Sequence, residues 1–278
     1  MGQVSEGGVT KARDRPRPPI GKVLWIVAGV LFLLGPLLAT FFSSIDYNQL
    51  GYRFTAYSNI VSNQALRGPL WLSFQIAVLT AALSFALMLP TVFWLHLKVP
   101  KARPIVETIS ILPYVIPPIV LVVGISQLTR GWPEWLIGKP FFLVPIYVVT
   151  CLPFLFRALD AGMRSIDVMT LTEAARGLGA TWRQVITKVI MPNLRTSILG
   201  GTFLALAVVL GEFTIASLLL FKTFPVYLTE VGQNEAQGAA ALSLLSFGFS
   251  WGFLLLLNFV GKRVGSGASL DFSARAGR

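Results

Sequence analysis

Six long apolar segments dominate this chain and limit the folds that it can adopt. Each has about 20 residues or more, the length that an α-helix needs to cross the hydrocarbon core of a bilayer. Hydrophobic residues make up 54% of the chain and charged residues only 13%, which is not typical of a soluble globular domain. The sequence therefore predicts an all-α membrane protein with six transmembrane helices. Their predicted bounds are Val23–Phe42, Leu70–Leu95, Ile105–Leu128, Phe141–Leu159, Ile198–Phe221 and Ala239–Val260.

The basic residues predict which way the chain crosses the membrane. The chain has 23 Lys and Arg against 12 Asp and Glu, a net charge of +11. With the N-terminus in the cytoplasm, every cytoplasmic segment is more basic than its outer neighbours, as the positive-inside rule requires. We therefore expect both termini in the cytoplasm, and we read the positive charge as a topology signal rather than as a nucleic-acid site. The basic residues left outside are Arg53, Arg67, Arg130, Lys139 and Lys222.

The chain divides into a membrane domain with a tail at each end. Residues 1–22 are rich in Gly, Pro and Arg and are predicted to be a disordered basic cytoplasmic tail. Residues 23–262 form the predicted six-helix transmembrane domain, and residues 263–278 form a cytoplasmic C-terminal tail. The longest polar interruption is the predicted cytoplasmic loop 157–195 between the fourth and fifth spans.

This loop carries the signals of two short helices that meet at a corner. Thr170 with Glu173 spells a capping box, and Thr181 with Gln184 spells a second one. Gly179 lies between them, where glycine commonly ends a helix and allows a sharp turn that a side chain would obstruct. A compact, well-capped loop outside the membrane suggests a surface that contacts a partner.

The same loop resembles the EAA motif of the permease subunits of binding-protein-dependent ABC importers. The resemblance is carried by Glu173–Ala175, by Gly179 six residues after the glutamate, and by Ile190–Pro192 after a second amphipathic turn. Met191 stands where the family usually has Leu, and Thr196 stands where many members have a second Pro. The resemblance implies a type I ABC importer permease fold in the bacterial plasma (inner) membrane.

It also implies the partners and the division of labour. The loop would place a coupling helix in a cleft of a cytoplasmic ATP-binding subunit, with a second permease subunit and an extracytoplasmic substrate-binding protein completing the importer. We read Arg176, unlike the motif residues, as a solvated or headgroup-facing side chain. The coupling residues implied by the resemblance are Glu173, Ala174, Ala175, Gly177, Gly179 and Pro192.

The chain is not expected to be an enzyme. It has no phosphate-binding loop of the form Gly-x-x-x-x-Gly-Lys-[Ser/Thr], because Gly138-Lys139 is followed by Pro140. We predict no cofactor of its own, with ATP bound by the partner, and no metal site, since His96 and Cys151 are the only residues of their types. His96 is expected to lie at the membrane interface.

Glu212, about midway along the fifth span, is the main candidate for the substrate pathway. Ionisable groups inside a membrane are costly and often mark a pathway or a partner. A carboxylate there suits a cationic cargo, although Glu212 could equally be a paired structural residue. Gln127 in the third span is a second candidate, with helix–helix contact as the alternative. Pro113, Pro117 and Pro118 are expected to bend or unwind the third span.

The cargo is the least constrained part of the prediction. The outer segment Ser43–Arg67 and the pair Pro117-Pro118 are most similar to the polyamine, ferric-iron and phosphonate branch of the permeases, and within it we favour spermidine/putrescine importers. The alternatives are ferric iron, phosphonate or another oxyanion. An ATP-independent secondary transporter and a membrane scaffold are rival classes of function.

Overall fold

The computed structural model describes residues 20–48, 51–53, 57–58, 60, 64–248, 251–252 and 255. Regular structure in these residues is helical, apart from a short antiparallel hairpin of β1 (Asp46–Asn48) and β2 (Gly51–Arg53). The helices are α1 (Ile20–Ser43), α2 (Gln64–Lys98), α3 (Arg103–Val115), α4 (Pro118–Leu128), α5 (Glu134–Ile137), α6 (Leu143–Arg164), α7 (Val168–Gly177), α8 (Trp182–Gln184), α9 (Met191–Asn193), α10 (Arg195–Leu210), α11 (Thr214–Leu218), α12 (Phe224–Asn234) and α13 (236–248).

Within the part of the chain that the structure describes, four helical stretches are long and apolar enough to cross a membrane: Gly21–Ser43, Gln64–Lys98, Pro140–Arg164 and Arg195–Leu218. They match the predicted first, second, fourth and fifth spans. The bent pair Pro100–Val115 and Pro118–Leu128 adds a fifth if it is counted as one span. The predicted sixth span begins within α13 and continues into residues that lie mostly outside the described part of the chain. Six spans and cytoplasmic termini therefore stay predictions, as do the tails 1–22 and 263–278.

The third span is broken where the sequence predicted a bend. Its two helices, α3 and α4, meet at an angle of 93°. Ile116 and Pro117 between them are extended, with ψ of 125° and 134°. Each of these two residues precedes a proline, which disfavours the helical conformation of the residue before it. Pro113, in contrast, is accommodated inside α3.

A buried core holds α2, α6 and α10 together. Tyr147 and Leu155 of α6 are buried in one cluster with Ile76 of α2 and Ala205 of α10. The helices approach closely at Gly162, where an added Cβ would lie 2.6 Å from Ser197 Cβ of α10. Small residues at such crossings let helix backbones come together, which favours van der Waals packing in a membrane.

A second cluster attaches the polar loop to this bundle. Residues 168–193, here called the EAA segment, contribute Val168, Val185 and Ile190 to it. These side chains pack against Leu159 and Met163 near the end of α6 and against Phe93 and other residues near the end of α2. The EAA segment is therefore a packed extension of the bundle. The site it carries is held by the same apolar contacts that hold the ends of α2 and α6.

Candidate functional site

The first helix of the EAA segment begins at an aspartate that the sequence analysis did not identify. Asp167 is the N-cap of α7, and its carboxylate accepts hydrogen bonds from the backbone N–H of Thr170 at 3.1 Å and from Thr170 Oγ1 at 2.7 Å. These hydrogen bonds from Thr170 lower the pKa of the Asp167 carboxyl. The predicted capping box of Thr170 with Glu173 is therefore wrong, because the helix starts at Val168 and Thr170 already lies in its first turn. An Asp before an amphipathic run is itself an N-cap signal and could have been recognised.

The corner after α7 is closed by a pair of crossed hydrogen bonds. Ala180 N–H donates to the carbonyl of Ala175 at 3.0 Å, and Gly179 N–H donates to the carbonyl of Arg176 at 2.9 Å. This is the Schellman arrangement, which needs a residue with positive φ just past the helix. Gly179 meets that need with φ of +84°. The predicted end of the helix is confirmed. The predicted reason, a steric clash of a side chain, is wrong, because an added Cβ at Gly179 would meet nothing within 4 Å. Glycine is favoured there by the positive backbone angle.

The predicted second capping box is present. Gln184 N–H donates to Thr181 Oγ1 at 3.4 Å, and Thr181 N–H donates to Gln184 Oε1 at 2.8 Å. The helix then continues from α8 through a π-helical stretch, Val185–Ile190, into α9. The π-helical stretch precedes Pro192, which lacks the N–H that a regular helix would use at that position.

Arg176 is exposed, in agreement with its predicted solvated role, and it also closes the corner from outside. Its Nη1 donates to the carbonyl of Ala180 at 2.8 Å, and its guanidinium lies 4.8 Å from the ring centroid of Trp182. Trp182 in turn contacts Trp94 of α2, with ring centroids 4.8 Å apart and the ring planes tilted by 52°. The side chain of Arg176 thus joins the two helices of the EAA segment, and Trp182 joins that segment to α2. Nothing in the motif singled out Trp182.

The surface of the corner is formed by residues that the structure leaves uncovered. Glu173, Ala174, Gly177 and Gly179 are all exposed, and Leu178 between the two glycines is 90% exposed. Among the described residues, no side chain forms an ion pair with Glu173.

Two of the predicted coupling residues do not belong to that surface. Ala175 packs inward against the second cluster, so only one of the two alanines of the motif is on the surface. Pro192, in α9, is half-buried.

A buried carboxylate lies where α6 joins the EAA segment, and the sequence analysis missed it. The side chain of Asp160 is 4% exposed. It accepts from Arg103 Nε at 2.6 Å and Arg103 Nη2 at 2.7 Å, while Arg164 Nη2 lies 2.9 Å from Oδ2. His96 Nε2 lies 2.9 Å from Oδ1, so His96 is bound to Asp160 rather than simply placed at an interface. Arg164 is four residues away on the same helix, a spacing that the sequence could have shown, but His96 and Arg103 are far away in sequence and no local pattern could have revealed them.

Glu212 lies at a break in the fifth span, between α10 and α11. Its carboxylate accepts from the hydroxyl of Tyr147 at 2.6 Å, from Ile215 N–H at 2.8 Å and from Ala216 N–H at 3.3 Å. These bonds fit the alternative of a paired structural residue. Gln127, the other pathway candidate, is exposed near the end of α4, and α4 packs against α11. Within the part of the chain that the structure describes, no group of three His, Cys, Asp or Glu residues could hold a metal ion.

Comparison with known proteins gives the family. Residues 93–236 match the family described as the inner membrane component of binding-protein-dependent transport systems. The chain belongs to this family. It is therefore a multi-pass inner-membrane protein and a transport subunit rather than a catalytic one.

The relatives show the same class of protein. A probable molybdenum ABC transporter permease protein of Haloferax volcanii is 26% identical over 243 residues, covering 83% of this chain and 89% of that protein. A probable D-methionine transport system permease protein of Vibrio cholerae serotype O1 is 27% identical over 155 residues, covering 52% of this chain and 67% of that protein. These relatives give no support to the predicted spermidine/putrescine branch.

The fold is shared with solved transporters. In the crystal structure of a bacterial ABC transporter involved in the import of the acidic polysaccharide alginate, one chain superposes with a TM-score of 0.66 at 18% identity. The match covers 88% of this chain and 93% of that chain. At this identity the likeness establishes the fold alone.

Proposed function

We propose that this chain is the permease subunit of an ABC importer that couples ATP hydrolysis by a partner ATPase to uptake of a small solute. The observation that carries the proposal is the EAA segment, a corner closed by its own hydrogen bonds with an exposed leucine at its tip. A second permease subunit, homologous or identical, and an extracytoplasmic binding protein complete the transporter.

Leu178 is the side chain that best fits a partner's cleft. It is 90% exposed and is flanked by Gly177 and Gly179, at neither of which an added Cβ would meet another atom within 4 Å. Full burial of a leucine side chain contributes about 1.5–3 kcal/mol. A docked leucine with only backbone on either side can enter a narrow groove, while the neighbouring Glu173 offers a carboxylate to a cation of the partner.

The attachment of the EAA segment to the bundle supports transmission of movement. Val185 and Ile190 are fully buried against the end of α6, and Trp182 packs against Trp94 of α2. Packed cores deform little and tend to move as units. A displacement of the corner by an ATPase subunit therefore carries the ends of α2 and α6 with it.

The coupling proposal is tested with two leucines of equal exposure. Leu178 and Leu220 are both 90% exposed, but Leu220 lies after α11, at the outer end of the predicted fifth span. With the tagged chain purified in mild detergent from its own bacterium, vanadate-sensitive ATP hydrolysis should co-purify with the unaltered protein and with Leu220→Asp. It should be lost with Leu178→Asp, Glu173→Lys and Gly179→Arg. Equal ATPase recovery with Leu178→Asp would contradict the proposed docking surface.

The cargo is proposed only as a small solute. For a polyamine, Glu212 would need to offer its charge to the pathway, yet that carboxylate already accepts three hydrogen bonds within the chain. Molybdenum in the name of the Haloferax relative supports the oxyanion alternative instead.

Two variants separate the roles of Glu212. Glu212→Gln removes the charge, whereas Tyr147→Phe keeps the charge and removes a donor to it. Labelled putrescine and molybdate serve as uptake probes in cells. If the carboxylate contacts a cation, only Glu212→Gln abolishes putrescine uptake. If the carboxylate instead stabilises the break in the fifth span, both variants should reduce uptake of whichever probe is transported. If neither variant changes uptake, Glu212 has no role in the pathway.

A further inference from the structure

The buried carboxylate of Asp160 lies where three helices and the EAA segment converge. It is one turn before the end of α6, and Leu159 and Met163 beside it pack against Val168 and Ile190 of the EAA segment. Its ligands come from the end of α2 through His96, from the start of α3 through Arg103 and from its own helix through Arg164. One carboxylate therefore joins the first turn of the broken third span to the part of the bundle that carries the corner.

Arg103 makes the strongest polar link between α3 and the rest of the bundle. The apolar contacts of α3 lie on one face: Val106 packs against the second cluster and Tyr114 contacts Phe154 of α6, whereas Ile105 and Ile109 are more than half exposed. The other ion pair between α3 and α6, Glu107–Arg157, is exposed, with its atoms 4.0 Å apart. Exposed ion pairs of this kind contribute little to stability. The bidentate contact of Arg103 with Asp160 is shorter and better oriented, and its carboxylate is only 4% exposed.

The far end of α3 is built differently. After Val115 the chain is extended at Ile116 and Pro117 and turns by 93° into α4. The hydrogen-bond ladder of the helix is interrupted there, so α3 is a separate rod with a break at one end and a charge-assisted anchor at the other. Breaks of this kind, a few residues at the ends of elements, are where hinge movements are absorbed.

We propose that Asp160 is a positioning residue that makes α3 move with the EAA segment. This inference rests on the proposed coupling function and names the route by which movement of the corner reaches the third span. His96 binds the same carboxylate, so α2 is held in the same unit. Without the Asp160–Arg103 contact, α3 would stay in the bundle but would no longer follow the corner. Such a claim of coupling needs a direct measurement of movement.

The experiment measures the distance between α3 and the EAA segment by paired spin labels. Ile109→Cys and Lys188→Cys are both exposed sites, and the native Cys151 is fully buried. The labelled full chain is studied in lipid nanodiscs with its ATPase, without nucleotide and after trapping with ATP and vanadate. In the unaltered protein we expect one narrow distance distribution that is the same in both states. Asp160→Asn should widen it without nucleotide and shift it on trapping.

Three controls make the outcome decisive. Arg157→Gln breaks the exposed pair and should leave the distance distribution unchanged. Arg103→Gln should reproduce the Asp160→Asn result. Because Arg164 and His96 still surround the carboxylate in this variant, it replaces Asp160→Asn if that variant fails to fold. Absence of ATP hydrolysis would count against the proposed function, while the nucleotide-free distributions would still test the anchor. A narrow, unshifted distribution in both Asp160→Asn and Arg103→Gln would overturn the proposal.

Discussion

At the scale of single residues, the two glycines of the corner should respond to substitution by alanine in opposite ways. Gly179 has φ of +84°, which costs a side-chain-bearing residue roughly 1–2 kcal/mol. Gly177 is the last residue of α7 and has open space around it. We therefore expect Gly179→Ala to destabilise the EAA segment by about 1–2 kcal/mol, and Gly177→Ala to stabilise it by up to about 1 kcal/mol. Hydrogen exchange across residues 168–184 measures both effects. Equal protection in the two variants would show that the corner does not depend on the backbone angle.

The cap at Asp167 carries a prediction on pH. Its pKa is lowered in the folded state by the hydrogen bonds from Thr170. Its contribution is therefore present above the pKa of the unfolded chain, about 3.9, and is lost as the pH falls through the lower folded value. Asn caps helices without titrating. The stability difference between the native chain and Asp167→Asn should be constant from about pH 5 to 8 and change only in acid. Asp167→Ala removes the cap itself and should lower the stability of α7 at every pH in that range. Thermal unfolding followed at several pH values provides the measurement.

At this scale the sequence predicts local chemistry well and distant pairing poorly. The Thr181–Gln184 box and the end of the helix before Gly179 depend on residues within a few positions of one another, and both are confirmed. The first capping box failed because two competing caps, Asp167 and Thr170, lie three residues apart and the earlier one starts the helix. Two of the ligands of Asp160, His96 and Arg103, come from other helices, so only the packed structure brings them to the carboxylate.

At the scale of helices, the contact between α6 and α10 depends on a missing side chain. An added Cβ at Gly162 would lie against Ser197 Oγ and 3.0 Å from Leu194 Cδ2. Gly200 on α10 is also helical, but an added Cβ there would meet nothing within 4 Å. Overpacking of a close contact costs about 1–3 kcal/mol, so Gly162→Ala should lower the unfolding temperature of the detergent-solubilised protein. Gly200→Ala is the matched control and should leave it unchanged or raise it. Equal behaviour of the two variants would argue against a tight α6–α10 crossing.

The sequence predicts a helix break that is caused by proline, but not one that is stabilised by hydrogen bonds to a side chain. The two consecutive prolines predict the break between α3 and α4 from chain sterics alone. The break between α10 and α11 contains no proline. It is marked by Gly211 and is capped by Glu212, whose carboxylate accepts the N–H groups of Ile215 and Ala216. From sequence, that glutamate could equally face the pathway or be a paired structural residue, because apolar periodicity does not reveal hydrogen bonds made within a helix.

At the scale of the whole molecule, the hydropathy pattern predicts the spans because lipid imposes the same length on each of them. The direction of each crossing depends on weaker charge statistics, and we test it with Leu178 and Leu220. Both side chains are 90% exposed in the folded chain, Leu220 at the outer end of the predicted fifth span, and the buried Cys151 supplies an unreactive background. In intact cells, a membrane-impermeant maleimide should label Leu220→Cys and not Leu178→Cys. In inverted membrane vesicles the pattern should reverse, provided that no ATPase covers the corner. Labelling of Leu178→Cys from outside would place the EAA segment on the wrong face to meet an ATPase, so the positive-inside assignment and the coupling proposal would both be wrong.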